Sequence, residues 1–102
     1  MALKRQFLKS KQLFKVTFSI PKDAVTEAKK VSLVGDFNEW DTDADLMKKQ
    51  KDGSFSISLN LKPGRAYQFR YLIDDIRWEN DWKADSYIPH AFGSGDNSLV
   101  IL

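Results

Sequence analysis

The strongest constraint on the fold is a period of two in the apolar residues of positions 13–20. Apolar side chains occupy every second position there, at Phe14, Val16, Phe18 and Ile20. Because successive side chains of a strand point to opposite faces, this pattern is typical of a strand with one buried face. The same alternation returns in residues 55–61, directly after Asp52-Gly53, a dipeptide that favours hairpin turns. The chain is therefore predicted to form antiparallel sheet.

Further short strands are predicted on both sides of this hairpin. They cover residues 31–34, 47–49, 67–73, 76–78 and 98–102, and the polar stretch 80–96 is predicted to be a long loop. A length of 102 residues suits one compact domain with one core. Many short strands with regular turns favour an all-β fold, an antiparallel β-sandwich of six to eight short strands.

The first twelve residues do not follow the strand pattern. We treat residues 1–12 as an N-terminal arm and residues 13–102 as the β-sandwich domain. The arm combines Leu3, Phe7 and Leu8 with several basic residues. Three conformations are open for it: a short amphipathic helix, an added edge strand or a disordered segment.

Charge and cysteine content restrict the partners of the chain. The chain has 16 Lys and Arg against 14 Asp and Glu. The resulting net charge of +2 is too small for the electrostatic footprint of a nucleic-acid-binding protein. The absence of cysteine excludes disulfides and thiolate zinc sites. No apolar run reaches the roughly 18 residues of a membrane-spanning helix. We therefore expect a cytoplasmic protein with no nucleic-acid partner, no membrane partner, no metal and no cofactor.

Groups that could catalyse a reaction are scarce. His90 is the single histidine, and no cysteine or G-x-S-x-G turn accompanies it in a nucleophilic relay. A glycosidase needs two carboxyl groups, one of them with a raised pKa. We interpret the acidic residues of the second half as turn residues and solvated loop charges, so the chain is predicted not to be an enzyme. These residues are Asp74, Asp75, Glu79, Asp81 and Asp85.

Three tryptophans lie in or beside predicted loops rather than in the apolar alternation of a strand: Trp40, Trp78 and Trp82. An exposed indole suits the C–H face of a pyranose, because stacking removes apolar area of both from water. Sugar hydroxyls then need directional donors and acceptors, for which Arg70, Lys83 and Asn97 are candidates. Aromatic loops also serve protein partners and single-stranded nucleic acid, so the residues alone leave several ligands open.

Four segments in order resemble the family 48 carbohydrate-binding modules. This family includes the glycogen-binding domain of the AMP-activated protein kinase β subunit and the early-set domains of isoamylases and glycogen branching enzymes. The resemblance runs from about Val16 to the end of the chain. Its motifs are V-S-L-V-G-D-F-N-E-W from Val31, Y-Q-F-R-Y-L-I-D from Tyr67, W-E-N-D from Trp78 and G-D-N-S-L-V-I from Gly95.

The resemblance implies a fold and a site. The fold is the immunoglobulin-like, early-set β-sandwich, and the function is non-catalytic binding of α-1,4/α-1,6 glucans such as glycogen or starch. Trp40 and Trp78 match the stacking platforms of the family, while Arg70 and Asn97 match its hydrogen-bonding residues. Phe37 is expected in the core, and Trp82 is expected to cover the edge of the sandwich.

Two departures from the family pattern affect the second half of the site. Asp74-Asp75 replaces the usual Asp-Gly, and the segment from there to Trp78 is one residue longer than in the kinase subunit. Because side chains alternate between faces, the turn or a bulge must absorb this residue, or Trp78 would point the wrong way. Arg70 replaces the commoner lysine, which exchanges a point donor for a planar fork.

Other functions remain open at this point. A protein-interaction or regulatory accessory domain of a glycogen-metabolising enzyme is the main alternative to glucan binding. An oligonucleotide-binding barrel is a more remote one. The chain could also supply a missing part to the active site of another polypeptide.

Overall fold

The computed structural model describes residues 2–89 and 95–102, and these ranges contain nine strands. Two short 3-10 helices, Lys22–Ala24 and Asp36–Asn38, lie between them. In this part of the chain no helix has the length and apolar character needed to cross a membrane. The strands are β1 (Ala2–Leu8), β2 (Leu13–Ile20), β3 (Val31–Gly35), β4 (Lys48–Lys49), β5 (Phe55–Leu61), β6 (Ala66–Ile73), β7 (Arg77–Glu79), β8 (Ser86–Pro89) and β9 (Asp96–Ile101).

The strands form two antiparallel sheets. Sheet 1 has the order β1-β2-β5-β4, and sheet 2 has the order β3-β6-β9-β8 with β7 also paired to β6. The predicted all-β, immunoglobulin-like β-sandwich is thus confirmed. Nine strands replace the expected six to eight because β1 and β8 join the sheets.

The two additional strands lie where the sequence has little alternation. Ala2–Leu8 pairs with Leu13–Ile20 from Ala2 opposite Ser19 to Leu8 opposite Leu13, so the edge strand is the conformation found among the three left open for the arm. That residues 13–102 make up the glucan-binding unit stays a prediction. The prediction of a continuous loop over residues 80–96 is wrong at β8, because four residues are too few for a period of two to stand out.

The core lies between the inner faces of the two sheets and is rich in aromatic rings. The ring centroids of Phe18 and Phe69 are 5.1 Å apart, and those of Phe69 and Tyr71 are 5.7 Å apart. All three side chains are fully buried, as the alternation of β2 and β6 predicts. Burying each large apolar side chain stabilises the fold by about 1.5–3 kcal/mol.

The connection between β3 and β4 crosses from sheet 2 to sheet 1. Its last part runs beside β3, where Leu33 N donates to Asp45 O (2.9 Å) and Met47 N donates to Val31 O (2.8 Å). β4 then pairs with β5 through the predicted Asp52-Gly53 hairpin, in which Gly53 has a φ of 88°. The first part of this connection carries Trp40 and is held at the end of β3.

Candidate functional site

Gly35 lets the loop that follows β3 fold tightly against β6. A Cβ atom added there would lie 2.8 Å from Phe69 Cβ and 2.9 Å from Phe37 Cζ, and it would also collide with the carbonyl oxygen of Gln68. Real Cβ atoms do not approach other heavy atoms this closely, so only glycine fits. Phe37 in turn packs on the core, with its ring centroid 5.6 Å from that of Phe18, as expected.

Asp36 and Asn38 hold the loop through hydrogen bonds to nearby backbone and side chains. Asp36 Oδ2 accepts from Gln68 N (2.8 Å) on β6. Asn38 Oδ1 accepts from Gly35 N (3.1 Å), while its amide nitrogen donates to Leu33 O (2.9 Å) and to Asp45 Oδ2 (2.8 Å). Turn-forming residues of this kind commonly bind their own neighbouring backbone. Most of the G-D-F-N segment therefore supports the loop that presents Trp40.

Trp40 is fixed by its backbone and its indole. Glu39 and Trp40 have φ angles of 57° and 59°, in the left-handed region that costs a non-glycine residue about 1–2 kcal/mol. Trp40 N donates to Gly35 O (2.9 Å), and Trp40 Nε1 donates to Asp36 Oδ1 (3.0 Å). With the indole N–H bound inside the protein, the apolar ring is what Trp40 can offer to a ligand.

The turn between β6 and β7 absorbs the additional residue. Ile73 is opposite Arg77, so Asp74, Asp75 and Ile76 form the turn, and both aspartates have positive φ angles (53° and 61°). The register therefore places Trp78 directly opposite Leu72. Directly paired residues share a face of the sheet. Leu72 alternates with the core residues of β6, so Leu72 and Trp78 lie on the outer face of sheet 2, where Trp78 is 45% exposed.

Contacts from distant residues hold the two ends of the Trp78 segment. At the turn, Asp74 Oδ1 accepts from Lys29 N (2.8 Å) and Lys30 N (2.9 Å), and these bonds lower the pKa of the Asp74 carboxyl. Beyond β7, the Tyr71 hydroxyl donates to Asp81 Oδ2 (2.7 Å). Asp81 Oδ1 accepts from Lys83 N (2.8 Å).

Asp81 is completely buried, so its interpretation as a solvated loop charge is wrong. A buried carboxylate is tolerated when donors surround it, and Asp81 has two on its side chain. Burial, followed by the charge of Asp81 and the hydrogen bond to it, raises the pKa of the Tyr71 hydroxyl well above 10.0. The aspartate of the W-E-N-D motif thus has a structural position in the described protein.

Arg70 lies on the same outer face, two residues before Leu72. Its Nε and Nη2 donate to the carbonyl oxygen of Asp96 at 2.9 and 2.7 Å. These bonds fix the plane of the guanidinium group. Among the described residues no acceptor of its Nη1 is found.

The structure brings Trp40, Arg70 and Trp78 together around one open cavity of about 420 Å³. Thr42 completes the lining, and its position two residues after Trp40 is the only sign of this role in the sequence. A second cavity of about 250 Å³ shares Arg70 and Trp78 with the first. Its remaining lining residues are Glu79, Asn80 and Gly95. The two cavities form a continuous surface across sheet 2, with two indoles and a guanidinium group.

The remaining candidates are not among the described residues that line the two cavities. Asn97 is buried; its amide nitrogen donates to Gln68 Oε1 (2.9 Å), and its Oδ1 has no partner among the described residues. The predicted sugar contact of Asn97 stays a prediction, and it requires the cover over this side chain to move. Trp82 is 57% exposed, its Nε1 donates to Glu79 Oε1 (3.3 Å), and its expected role at the edge of the sandwich stays a prediction. Lys83 is exposed, and His90 lies outside the described residues.

Each acidic residue considered for catalysis has a protein partner. Asp75 pairs with Lys30 Nζ (3.0 Å), and Asp85 pairs with Arg5 Nη2 (2.9 Å). Glu79 Oε2 lies 3.6 Å from Arg77 Nη1. In residues 2–89 and 95–102 no group of three histidine, cysteine or acidic side chains is arranged to hold a metal ion.

An immunoglobulin-like sandwich with an open cavity between two tryptophans on one sheet is the architecture of a carbohydrate-binding module. Comparison with known families identifies which kind of carbohydrate-binding module this is. The family described as the glycogen recognition site of AMP-activated protein kinase matches residues 25–99. The chain belongs to this family, and its carbohydrate-binding role follows from that membership.

Two plant proteins are similar to part of the chain. Protein PTST homolog 2, chloroplastic, from Arabidopsis thaliana is 37% identical over 76 residues, which is 74% of this chain and 13% of that protein. Protein FLOURY ENDOSPERM 6, chloroplastic, from Oryza sativa subsp. japonica is 39% identical over 54 residues, or 53% of this chain and 10% of that protein. The chain thus spans about a tenth of the length of each relative.

The predicted cytoplasmic location is wrong. Both relatives are named as chloroplastic proteins. The prediction depended on the absence of cysteine and of a long apolar run. Neither feature distinguishes the cytosol from other compartments in which proteins lack disulfides.

Proposed function

We propose that this chain binds α-1,4-linked glucan on the outer face of sheet 2, with Trp40 and Trp78 as stacking platforms. The observation that supports this most is the shared cavity lined by Trp40, Thr42, Arg70 and Trp78. A sugar ring placed on an indole buries its apolar C–H face and leaves its hydroxyls at the rim. Two indoles at one opening allow two glucose units of the same polymer to stack.

Arg70 is the proposed hydroxyl-binding residue of the site. Its guanidinium group is already fixed by two bonds to Asp96 O, so little side-chain entropy is lost when a sugar binds. Hydrogen bonds from a charged donor such as a guanidinium group are stronger than those between neutral groups. An open site of this size suggests dissociation constants of roughly micromolar to millimolar, about −4 to −8 kcal/mol.

We propose that the module acts without catalysing a reaction itself and directs a glycogen- or starch-metabolising enzyme to its glucan. The carboxylates considered for catalysis are engaged in ion pairs or backbone hydrogen bonds, which supports a structural use for them. The small share of each relative that the chain covers agrees with a module that works beside other domains. The names of both relatives favour a plastid as its location.

The test is native gel electrophoresis in the presence and absence of glycogen. We expect glycogen to retard the wild-type protein and maltoheptaose to quench its tryptophan fluorescence. Trp40→Ala should lower the affinity about 30-fold, because it removes about 2 kcal/mol of apolar contact. Trp82→Ala is the matched control, since Trp82 is exposed but is not among the residues that line either cavity. The proposal fails if the wild-type mobility does not change, or if the two variants lose equal affinity.

A further inference from the structure

The charged residues are distributed very unequally between the two sheets. The four strands of sheet 1 contain Lys4, Arg5, Lys15, Lys48 and Lys49 but no acidic residue. All 14 acidic residues of the chain therefore lie outside sheet 1. Two more lysines, Lys9 and Lys11, lie in the turn between β1 and β2. The net charge of +2 conceals a strongly basic side of the molecule.

The register shows which of these side chains share the outer face of sheet 1. Val16 and Phe18 point into the core, so Lys15 and Thr17 point outward. Their partners in the neighbouring strands, Gln6, Lys4, Asn60 and Ser58, point outward with them. Ser56 and its partner Lys48 extend this surface to the other edge of the sheet. We call this surface, with the lysines Lys4, Lys15 and Lys48 among hydroxyl and amide side chains, the basic face.

A shallow cavity of about 260 Å³ lies at the β1 side of the basic face. Its described lining is Lys4, Arg5, Gln6, Lys15 and Thr17, three cations and two neutral hydrogen-bonding groups. Arg5 has its own counterion, because both oxygens of Asp85 accept from it at 2.9 Å. No acidic partner of Lys4 or Lys15 is found in residues 2–89 and 95–102.

The basic face lies on the opposite side of the sandwich from the two tryptophans. Trp78 is on the outer face of sheet 2, and the core separates it from sheet 1. A ligand bound between the indoles therefore does not occupy the basic face. The two surfaces can be used at the same time.

We propose that the basic face binds an acidic, extended segment of a partner protein. Charge complementarity supports this, since carboxylates would meet two lysines that have no counterion in the described structure. β1 is an edge strand, and no backbone hydrogen bond to its open edge is found in residues 2–89 and 95–102. An extended peptide can add to such an edge and place its side chains beside Lys4. The basic face offers no aromatic ring on which nucleic-acid bases could stack.

The test uses poly-L-glutamate as the acidic probe and NMR of the ¹⁵N-labelled protein. We expect shifts of the amide signals of β1 and β2 and of Ser58, while the indole signals of Trp40 and Trp78 do not move. Binding should weaken about tenfold when the ionic strength rises from about 0.01 M to about 0.15 M, because the screening length falls from about 30 Å to about 8 Å. Maltoheptaose should not compete with the probe.

Charge reversal at the basic face provides the decisive comparison. K4E together with K15E should weaken poly-L-glutamate binding at least about tenfold and leave glycogen retardation unchanged. K29E together with K83E is the control, because it makes the same change in net charge at exposed lysines outside sheet 1. Equal losses in both double variants would overturn the proposal. So would tighter binding to a single-stranded oligonucleotide or to phosphatidylserine vesicles than to poly-L-glutamate, since either would identify a different class of partner.

Discussion

The two tryptophans of the cavity are supported in different ways. Trp40 ends a loop whose bonds run mainly between residues close in sequence, from Gly35, Asp36 and Asn38. Trp78 lies on the three-residue strand β7, and its support comes from distant residues such as Tyr71 and Lys29. One half of the site is thus built by a short sequence motif and the other half by tertiary structure.

This difference affects how well each indole is ordered before a ligand binds and how much each contributes to affinity. The Trp40 indole is bonded to Asp36, so its orientation is set before a ligand arrives. Trp78 is 45% exposed on an edge segment that is anchored at its ends. A side chain that is less restrained loses more rotamer freedom on binding. We therefore expect the Trp40 half to contribute more to affinity, and the following changes test this in order of expected effect.

Gly35→Ala should produce the largest loss. The new methyl group would collide with β6 and Phe37, so we expect the free energy of unfolding to fall by about 3 kcal/mol. Gly64→Ala is the control, because Gly64 has a positive φ of 83° but open space around its Cβ position, and it should cost about 1 kcal/mol. Urea unfolding of both variants measures the difference. Equal losses would show that the tight contact at Gly35 does not matter.

Tyr71→Phe tests the support of the Trp78 half. Removing the hydroxyl leaves one oxygen of the buried Asp81 without its donor, which should cost about 2 kcal/mol. Tyr67→Phe is the matched control, since the Tyr67 hydroxyl donates to the backbone oxygen of Lys62 (2.8 Å), and it should cost about 1 kcal/mol. If Tyr67→Phe were the more harmful change in urea unfolding, the role assigned to Asp81 would be wrong.

The same tyrosine predicts how stability changes at alkaline pH. The pKa of Tyr71 is raised in the folded state, so above pH 10.0 the unfolded chain releases this proton while the folded chain keeps it. The unfolded state then binds fewer protons, and stability falls as the pH rises. In Tyr71→Phe this decline should be shallower than in the wild type. An unchanged slope in urea unfolding above pH 10.0 would contradict the burial of this hydroxyl.

The two indoles can be compared directly by truncation. We expect Trp40→Ala to cost about 1 kcal/mol more binding free energy than Trp78→Ala, which is about fivefold in dissociation constant. Isothermal titration with maltoheptaose measures both values. A greater loss from Trp78→Ala would reverse the proposed ranking of the two halves.

Asp74→Asn should have the smallest effect, at acidic pH. The Lys29 and Lys30 amides lower the pKa of Asp74, so its contribution to stability is present above pH 3.8 and is lost as the pH falls through the lowered pKa. The variant should show a flatter fall of stability below pH 3.8 and a shift of the Trp78 indole NMR signal. Asp52→Asn is the control, because Asp52 also has a lowered pKa but lies in the β4–β5 turn. Asp52→Asn should make the fall of stability at acidic pH flatter without shifting the Trp78 indole NMR signal.

The sequence predicted the parts of the site that depend on local rules. The resemblance of these motifs to family 48 modules pointed to Trp40, Arg70 and Trp78 as site residues, and the structure brings the three side chains around one cavity. Asn97 and Asp81 are different, because they bond to Gln68 and Tyr71 of β6 and no spacing in the sequence reveals these contacts. The distribution of charge was equally hard to predict from the sequence. Lys15 is separated from the acidic residues only because of which strands share its sheet.

The bond between the Trp40 indole and Asp36 also bears on how the module would move on a polymer. A ring that offers only its flat apolar side recognises each glucose unit of a uniform chain equally well. With Trp40 as the proposed stacking platform, every shift by one sugar unit would restore the same contact. The protein would have many equivalent positions along one strand, and it could diffuse between them without a fixed starting point.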